Sequence, residues 1–139
     1  MKVSKLIQLA KIGHPKHLDK LMNHNNLTIR YMIAKHGPES YQDTMTDDID
    51  STVRALVAKH GNDKHRDKLA NDRDYAVRNQ VAEHGNDSHR DKLLNDPDSD
   101  VRETVAVYGN EKHLKHLSKD EDPYVRAVAK NRLEKLGVK

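Results

Sequence analysis

Hydrophobic and polar positions recur along the chain with a period of 24 residues. Three independent columns keep this period, which indicates a repeat protein. One column is a Val-Arg or Ile-Arg dipeptide, one is a glycine and one is a leucine or methionine. The columns stand at Ile29, Val53, Val77, Val101 and Val125; at Gly13, Gly37, Gly61, Gly85 and Gly109; and at Leu21, Met45, Leu69, Leu93 and Leu117.

One repeat, residues 62–85, is predicted to form two short helices joined by a turn. Residues 64–70 are the candidate for a first helix, A, and the spacing of apolar residues over 75–84 predicts a second helix, B. The turn 71–74 is rich in N-capping side chains, and Gly85 is expected to end helix B in the left-handed conformation. Neither helix is long enough to be stable alone, so packing of neighbouring repeats must stabilise both.

The predicted core is a double column of small side chains on the B helices. It consists of Ile33, Val57, Val81 and Val105, each followed by an alanine, at Ala34, Ala58, Ala82 and Ala106. The period predicts a single repeat domain over residues 1–139, divided into an N-terminal capping helix over 3–12, repeats over 14–37, 38–61, 62–85, 86–109 and 110–133, and a C-terminal tail over 134–139.

The B-helix pattern Asp-x-x-Val-Arg-x-x-Val-Ala-x-His, present at 74–84 and with a final tyrosine at 98–108, resembles the leucine-rich repeat variant family. The resemblance covers roughly residues 14–133. It implies an all-α fold, a HEAT-like right-handed α-solenoid or superhelix of short helix pairs, either α/α or α/3-10. Two departures stand out. The inter-repeat turn is His-Gly-Asn-Asp rather than a proline-containing turn, and the cysteine cluster of an iron–sulfur branch is missing, so no cofactor is expected.

Composition fits this interpretation and narrows the function. Hydrophobic residues make up 35% of the chain, with no Trp, Phe or Cys, which suits thin layers of small aliphatic side chains. Without cysteine there is no disulfide, thiolate nucleophile or Cys-ligated zinc. The N-terminus lacks the apolar core of a signal peptide and no apolar run is long enough to span a membrane. We therefore expect a cytoplasmic, monomeric protein without membrane contact.

Charge is segmented along the chain. Residues 1–36 hold seven Lys/Arg and one Asp, residues 37–100 hold nine basic and fifteen acidic residues, and residues 101–139 hold nine basic and six acidic. This distribution is not the uniform basic stripe of a dedicated nucleic-acid binder. Basic residues at the two ends still leave nucleic-acid binding as the alternative function. They are Lys5, Lys11, Lys16, Lys20 and Lys35, and Lys112, Lys115, Lys119, Lys130 and Arg132.

Two periodic polar columns have a structural and a functional interpretation. The arginines of the Val-Arg column offer guanidinium groups to phosphates, but aspartates with the same period, Asp48, Asp72, Asp96 and Asp120, favour pairing within or between repeats. The ten histidines include His36, His60 and His84 at the B-helix ends and His65, His89 and His113 early in the A helices. Copies one helix layer apart cannot share a metal ion, so capping of carbonyls and packing are favoured. A joint protonation near pH 6 is a further hypothesis.

Catalytic signatures are absent from the sequence: there is no Gly-rich phosphate loop, no H-E-x-x-H and no nucleophile elbow. We predict a non-catalytic protein–protein interaction module with a curved surface and a protein partner of unknown identity. Function is expected where the repetition breaks, at the acidic second repeat and the basic ends. Tyr41, which replaces the histidine of its column, is either an interface anchor or a packing residue. The candidate surface comprises Tyr31, Tyr41, Glu39, Asp43, Lys11, Lys35 and Lys59.

Overall fold

The computed structural model describes residues 2–12 and 15–138, and these form eleven α-helices in which long and short helices alternate. The long B helices are α1 (Val3–Ile12), α3 (Leu27–His36), α5 (Ser51–His60), α7 (Tyr75–His84), α9 (Ser99–Tyr108) and α11 (Pro123–Lys135). The short A helices are α2 (Pro15–Leu21), α4 (Glu39–Met45), α6 (Asp63–Leu69), α8 (Asp87–Leu93) and α10 (Glu111–Leu117). The A helices are α-helical, so of the two predicted alternatives the α/α pair is found.

Each B helix after α1 begins at an Asn or Asp whose side chain caps it. The carboxylate of Asp98, for example, accepts a hydrogen bond from the backbone N–H of Asp100 at 2.9 Å. This contact satisfies one of the backbone donors that a helix N-terminus leaves unpaired. The same cap recurs at Asn26, Asp50, Asp74 and Asp122.

The chain divides into two compact units, Met1–Leu69 and Ala70–Lys139. In the first unit, α3 packs between α1 and α5. Its core contains the predicted B-helix columns together with large side chains from the A helices. The fully buried members include Ile33, Ala34, Val57, Ala58 and Leu18.

In the second unit, α9 packs between α7 and α11, and α10 lies against both α9 and α11. The predicted valine and alanine columns are buried here as well, at Val81, Ala82, Val105 and Ala106. The last helix continues to Lys135, two residues beyond the predicted end of the fifth repeat. The extent of the domain, predicted as residues 1–139, stays a prediction.

The glycine that follows each of the helices α3, α5, α7 and α9 was expected in the left-handed conformation, and this expectation is wrong for these four. Gly85 has φ −79° and ψ −169°, and Gly109 has φ −72° and ψ 170°, both extended. The glycine is required instead because there is no room for a side chain at this position. A Cβ on Gly85 would lie 2.5 Å from the carbonyl oxygen of Val81 and 2.6 Å from Nδ1 of His89. The following A helix therefore folds its histidine ring over a position that has no side chain.

Candidate functional site

The histidines early in the A helices, His65, His89 and His113, are buried, and both ring nitrogens of His65 and His113 are in hydrogen-bond contact. In α10, the backbone N–H of Asn110 donates to Nδ1 of His113 at 3.0 Å, and Nε2 of His113 lies 2.6 Å from Asp91 in the preceding repeat. Since Nδ1 accepts a hydrogen bond, the neutral ring carries its proton on Nε2 and donates it to the carboxylate. His65 repeats this geometry with Asn62 and Asp43.

These contacts change the role assigned to the histidines. The sequence favoured capping of carbonyl groups, but His65, His89 and His113 accept from backbone N–H groups at the N-termini of the A helices. At α8 and α10 the Asn and the His form a reciprocal capping box. Within residues 2–12 and 15–138, no group of three His, Asp or Glu side chains is arranged to hold a metal ion.

Three arginines of the Val-Arg column, Arg30, Arg78 and Arg102, pair with aspartates of the next repeat, as the structural interpretation predicted. Nε of Arg102 donates to Asp120 at 2.9 Å, while its Nη1 donates to the carbonyl of Asp96 at 2.7 Å. Arg78 pairs with Asp96 in the same way at 2.8 Å, and Arg30 pairs with Asp48 at 3.1 Å. The Arg30, Arg78 and Arg102 side chains are at most 13% exposed, so they form a structural ladder rather than an open phosphate-binding row.

The ladder also shifts the ionisation of its members. The hydrogen bond from Arg102 to Asp120 raises the pKa of the guanidinium, although burial opposes this. Burial alone would raise the pKa of Asp120, but the hydrogen bonds from Arg102 and from the backbone N–H of Asp122 outweigh it, and the pKa is lowered. The carboxylate is thus held in its charged form by the fold.

Tyr41 belongs to the histidine column and is not an exposed anchor. Its ring is buried, and its hydroxyl donates to Asp19 of the preceding repeat at 2.6 Å. This bond raises the pKa of the Tyr41 hydroxyl. The burial of the ring and the bond to Asp19 favour the packing interpretation of Tyr41, and its place in the candidate surface stays a prediction. Of its predicted neighbours, Glu39 is exposed on α4, while Asp43 is engaged by His65.

The predicted lysines come together in the first unit. Lys11, Lys35 and Lys59 occupy the same place in the last turn of α1, α3 and α5, and each is exposed. We call these three residues the lysine row. No ion pair involves them within the described part of the chain. Tyr31 lies one turn before Lys35 on α3 and is half-buried.

A feature missed from the sequence is an open cleft in the first unit. It has a volume of about 410 Å³, and Met22, Met45 and Ile49 line it beside the Arg30–Asp48 pair. Ile49 is 86% exposed at the tip of the turn between α4 and α5. The sequence does mark Ile49 as unusual, because this position of the repeat is polar or proline elsewhere. The equivalent residues are Asn25, Arg73, Pro97 and Glu121.

The alternating helices and their repeated polar contacts define a helical repeat solenoid fold. The structure is similar to a solved structure described as a leucine-rich repeat variant with a novel repetitive protein structural motif, with a TM-score of 0.79 and 26% sequence identity. The alignment covers 91% of this chain and 54% of that one, so the chain spans about half the length of the protein it matches. The resemblance predicted from the repeat pattern is confirmed in the structure.

Other comparisons do not extend this likeness. No protein-family model and no curated protein sequence matches the chain. Across residues 2–12 and 15–138, every helix is too short or too polar to traverse a lipid bilayer.

Proposed function

We propose that the chain is a non-catalytic protein-interaction module that binds an acidic surface of its partner through the lysine row. The observation that carries the proposal is the repetition of an exposed, unpaired lysine on three successively packed helices, α1, α3 and α5. Neighbouring packed helices lie about 8–10 Å apart, so the row extends over roughly 20 Å. Repeat proteins commonly use such extended faces to bind other proteins.

An apolar contact lies beside the positive charge. Tyr31 and Met32 are half-buried on α3, and Tyr31 lies on the same helix face as Lys35, four residues later. Tyrosine offers a large apolar ring with a polar tip, and it is enriched among the residues that contribute most to interface affinity. The combination favours a partner surface with carboxylates around an apolar centre.

The absence of catalysis is part of the proposal and rests on how the polar groups are used. A general base needs an unoccupied nitrogen or oxygen near its substrate. In His65 and His113 one ring nitrogen faces a backbone N–H and the other faces an aspartate. The pair formed by Asp43 and His65 therefore has no ring nitrogen left to accept a proton from a substrate.

The test compares two charge-reversal variants of equal net charge. Lys35→Glu with Lys59→Glu removes most of the lysine row, and Lys20→Glu with Lys64→Glu makes the same change at exposed positions of the A helices α2 and α6. In affinity capture from the native cell, we expect the first variant to lose the partner and the second to keep it. Equal capture by both variants, each folded by circular dichroism, would refute the proposed surface.

Nucleic-acid binding is the second candidate, because lysines near the N-terminus are exposed on the first unit. They are Lys2, Lys5, Lys11, Lys16, Lys20 and Lys35. A salt titration separates the candidates, since binding to phosphates weakens steeply as salt rises. Absence of binding to duplex or single strands at about 50 mM salt would exclude this candidate. Of the C-terminal candidates, Arg132 is partly engaged within the fold, because its Nη1 donates to the carbonyls of Ala106 and Gly109.

A further inference from the structure

A second pocket lies in the second unit, between α10 and α11. Its volume is about 440 Å³, within the range of pockets that hold small ligands or peptide side chains. Leu133 and Val138 supply the apolar part of its lining, and Lys115, Lys119 and Lys130 supply the charge. We call this the terminal pocket. The backbone N–H of Val138 donates to the carbonyl of Leu133 at 3.0 Å, which holds the tail against α11.

Comparison of equivalent positions in the repeats shows that an acidic residue is replaced by a basic one in this pocket. Asp19, Asp43 and Asp91 occupy one A-helix position, and each accepts the side chain of the next repeat, from Tyr41, His65 and His113 respectively. The fifth repeat has Lys115 at that position. Where Asp91 accepts a hydrogen bond from His113, Lys115 therefore offers a positive charge and no acceptor.

A second column changes in the same pocket. Ala106 and its counterparts in earlier repeats are completely buried, whereas the fifth repeat has Lys130, which is exposed. The side chains of Lys119 and Lys130 make no ion pair or hydrogen bond with any residue in 2–12 or 15–138. Lys115 lies 3.5 Å from Glu111 and keeps 61% of its side chain exposed. Two uncompensated cations therefore stand beside an apolar surface.

We propose that the terminal pocket binds an acidic peptide segment of a partner protein, with a leucine-type side chain against Leu133 and Val138. Carboxylates flanking that side chain meet Lys119 and Lys130. Charge complementarity selects the occupant, because three of the lining side chains are lysines and one, Glu134, is acidic. The pocket belongs to the second unit, and the proposal is independent of the lysine row in the first.

The test uses the nitrogen-15-labelled full chain and the synthetic peptide Glu-Glu-Leu-Leu-Glu-Glu, followed by two-dimensional NMR. Two further peptides replace either the glutamates by glutamine or the leucines by serine. We expect the acidic peptide to shift the amide signals of Lys119, Leu133 and Val138. We expect the glutamine and serine peptides to bind more weakly by roughly tenfold. The first loses the attraction of the glutamates to the lysines, and the second loses the apolar contact of the leucines.

Variants assign the binding to the pocket. Lys119→Glu with Lys130→Glu should weaken binding by at least roughly tenfold, since two attractions become repulsions. Lys92→Glu with Lys112→Glu makes the same charge change at exposed positions of α8 and α10 outside the pocket and should leave the affinity unchanged.

Three results would overturn the proposal. They are an absence of shifts at about millimolar peptide, equal binding of the glutamine peptide to the wild-type chain, and equal weakening by both double variants. The peptide comparison on the wild-type chain decides the question even if a variant fails to fold. Shifts confined to the lysine row would support the proposed function while contradicting the terminal pocket.

Discussion

Replacement of Gly109 by alanine tests why a glycine follows the helix α9. The backbone at Gly109, with φ −72° and ψ 170°, is one that alanine adopts without strain. On backbone grounds alone the substitution should therefore stabilise the protein by about 0.4–1 kcal/mol, because alanine restricts the unfolded chain. The structure predicts the opposite sign.

Crowding determines the magnitude. A Cβ at Gly109 would lie 2.5 Å from the carbonyl oxygen of Val105 and 2.8 Å from Cβ of His113. Both neighbours are held, one by the hydrogen bond from the Gly109 N–H and the other by the capping box of α10. Overpacking of this kind costs about 1–3 kcal/mol. Taking the middle of both ranges, about 2 kcal/mol of overpacking less about 0.7 kcal/mol of unfolded-state gain, we expect a net destabilisation of about 1.3 kcal/mol.

The assay is urea unfolding followed by far-UV circular dichroism, with the free energy of unfolding extrapolated to water. Gly137 is the matched control, because it has φ +73° and open space around its would-be Cβ. Asparagine tolerates the left-handed conformation, so Gly137→Asn should be milder than Gly137→Ala. At Gly109 asparagine should be no milder than alanine. A Gly109→Ala protein as stable as wild type would refute the crowding argument.

Three further changes test the polar contacts. Because the fold lowers the pKa of Asp120, this carboxylate stabilises the protein fully above about pH 4, and the stabilisation is lost as pH falls through the folded pKa. Asp120→Asn should therefore lower the free energy of unfolding at pH 7. In urea titrations the variant should also lose less stability than the wild type as the pH falls. His113→Leu should cost about 1–3 kcal/mol in thermal unfolding, because the N–H of Asn110 loses its acceptor, and an unchanged Tm would contradict the capping role. Tyr41→Phe should cost about 1 kcal/mol through its lost hydroxyl bond, measured by urea unfolding, and an equally stable variant would argue against that bond.

Much of the fold was predictable because the period fixes it. Residues 75–84 were predicted as a helix and form α7. The valine and alanine columns were predicted as core and are fully buried. Pairing of Arg102 with an aspartate followed from two columns that share one period, since a charge that recurs with its opposite is best explained by contact between repeats.

The remaining features depend on three-dimensional contacts that a period does not contain. Asn-x-x-His differs from the usual Ser/Thr-x-x-Glu capping box, so His113 was not predicted to cap α10. The ring of that histidine explains the glycine before it, which the sequence alone assigned to a left-handed turn. Tyr41 replaces the histidine of its column, but only the structure shows its hydroxyl reaching Asp19.

For the candidate site, the sequence identified the periodic basic residues, and the structure showed which of them are exposed and unpaired. The lysines of the row and the arginines of the ladder are all periodic basic residues. The two sets differ in exposure, because Lys35 and Lys59 are exposed to solvent while Arg78 and Arg102 form ion pairs with aspartates. Periodicity alone cannot make this distinction, since both columns repeat every 24 residues.

Zero-length carbodiimide cross-linking in an extract of the native cell tests the central claim most directly. This chemistry joins lysines to carboxylates that are in contact, and mass spectrometry identifies the joined residues. We predict that protein cross-links concentrate on Lys11, Lys35 and Lys59, with the control lysines Lys20 and Lys64 largely unmodified. Cross-links spread evenly over exposed lysines, or an absence of any cross-linked protein, would contradict an interaction module that acts through the lysine row.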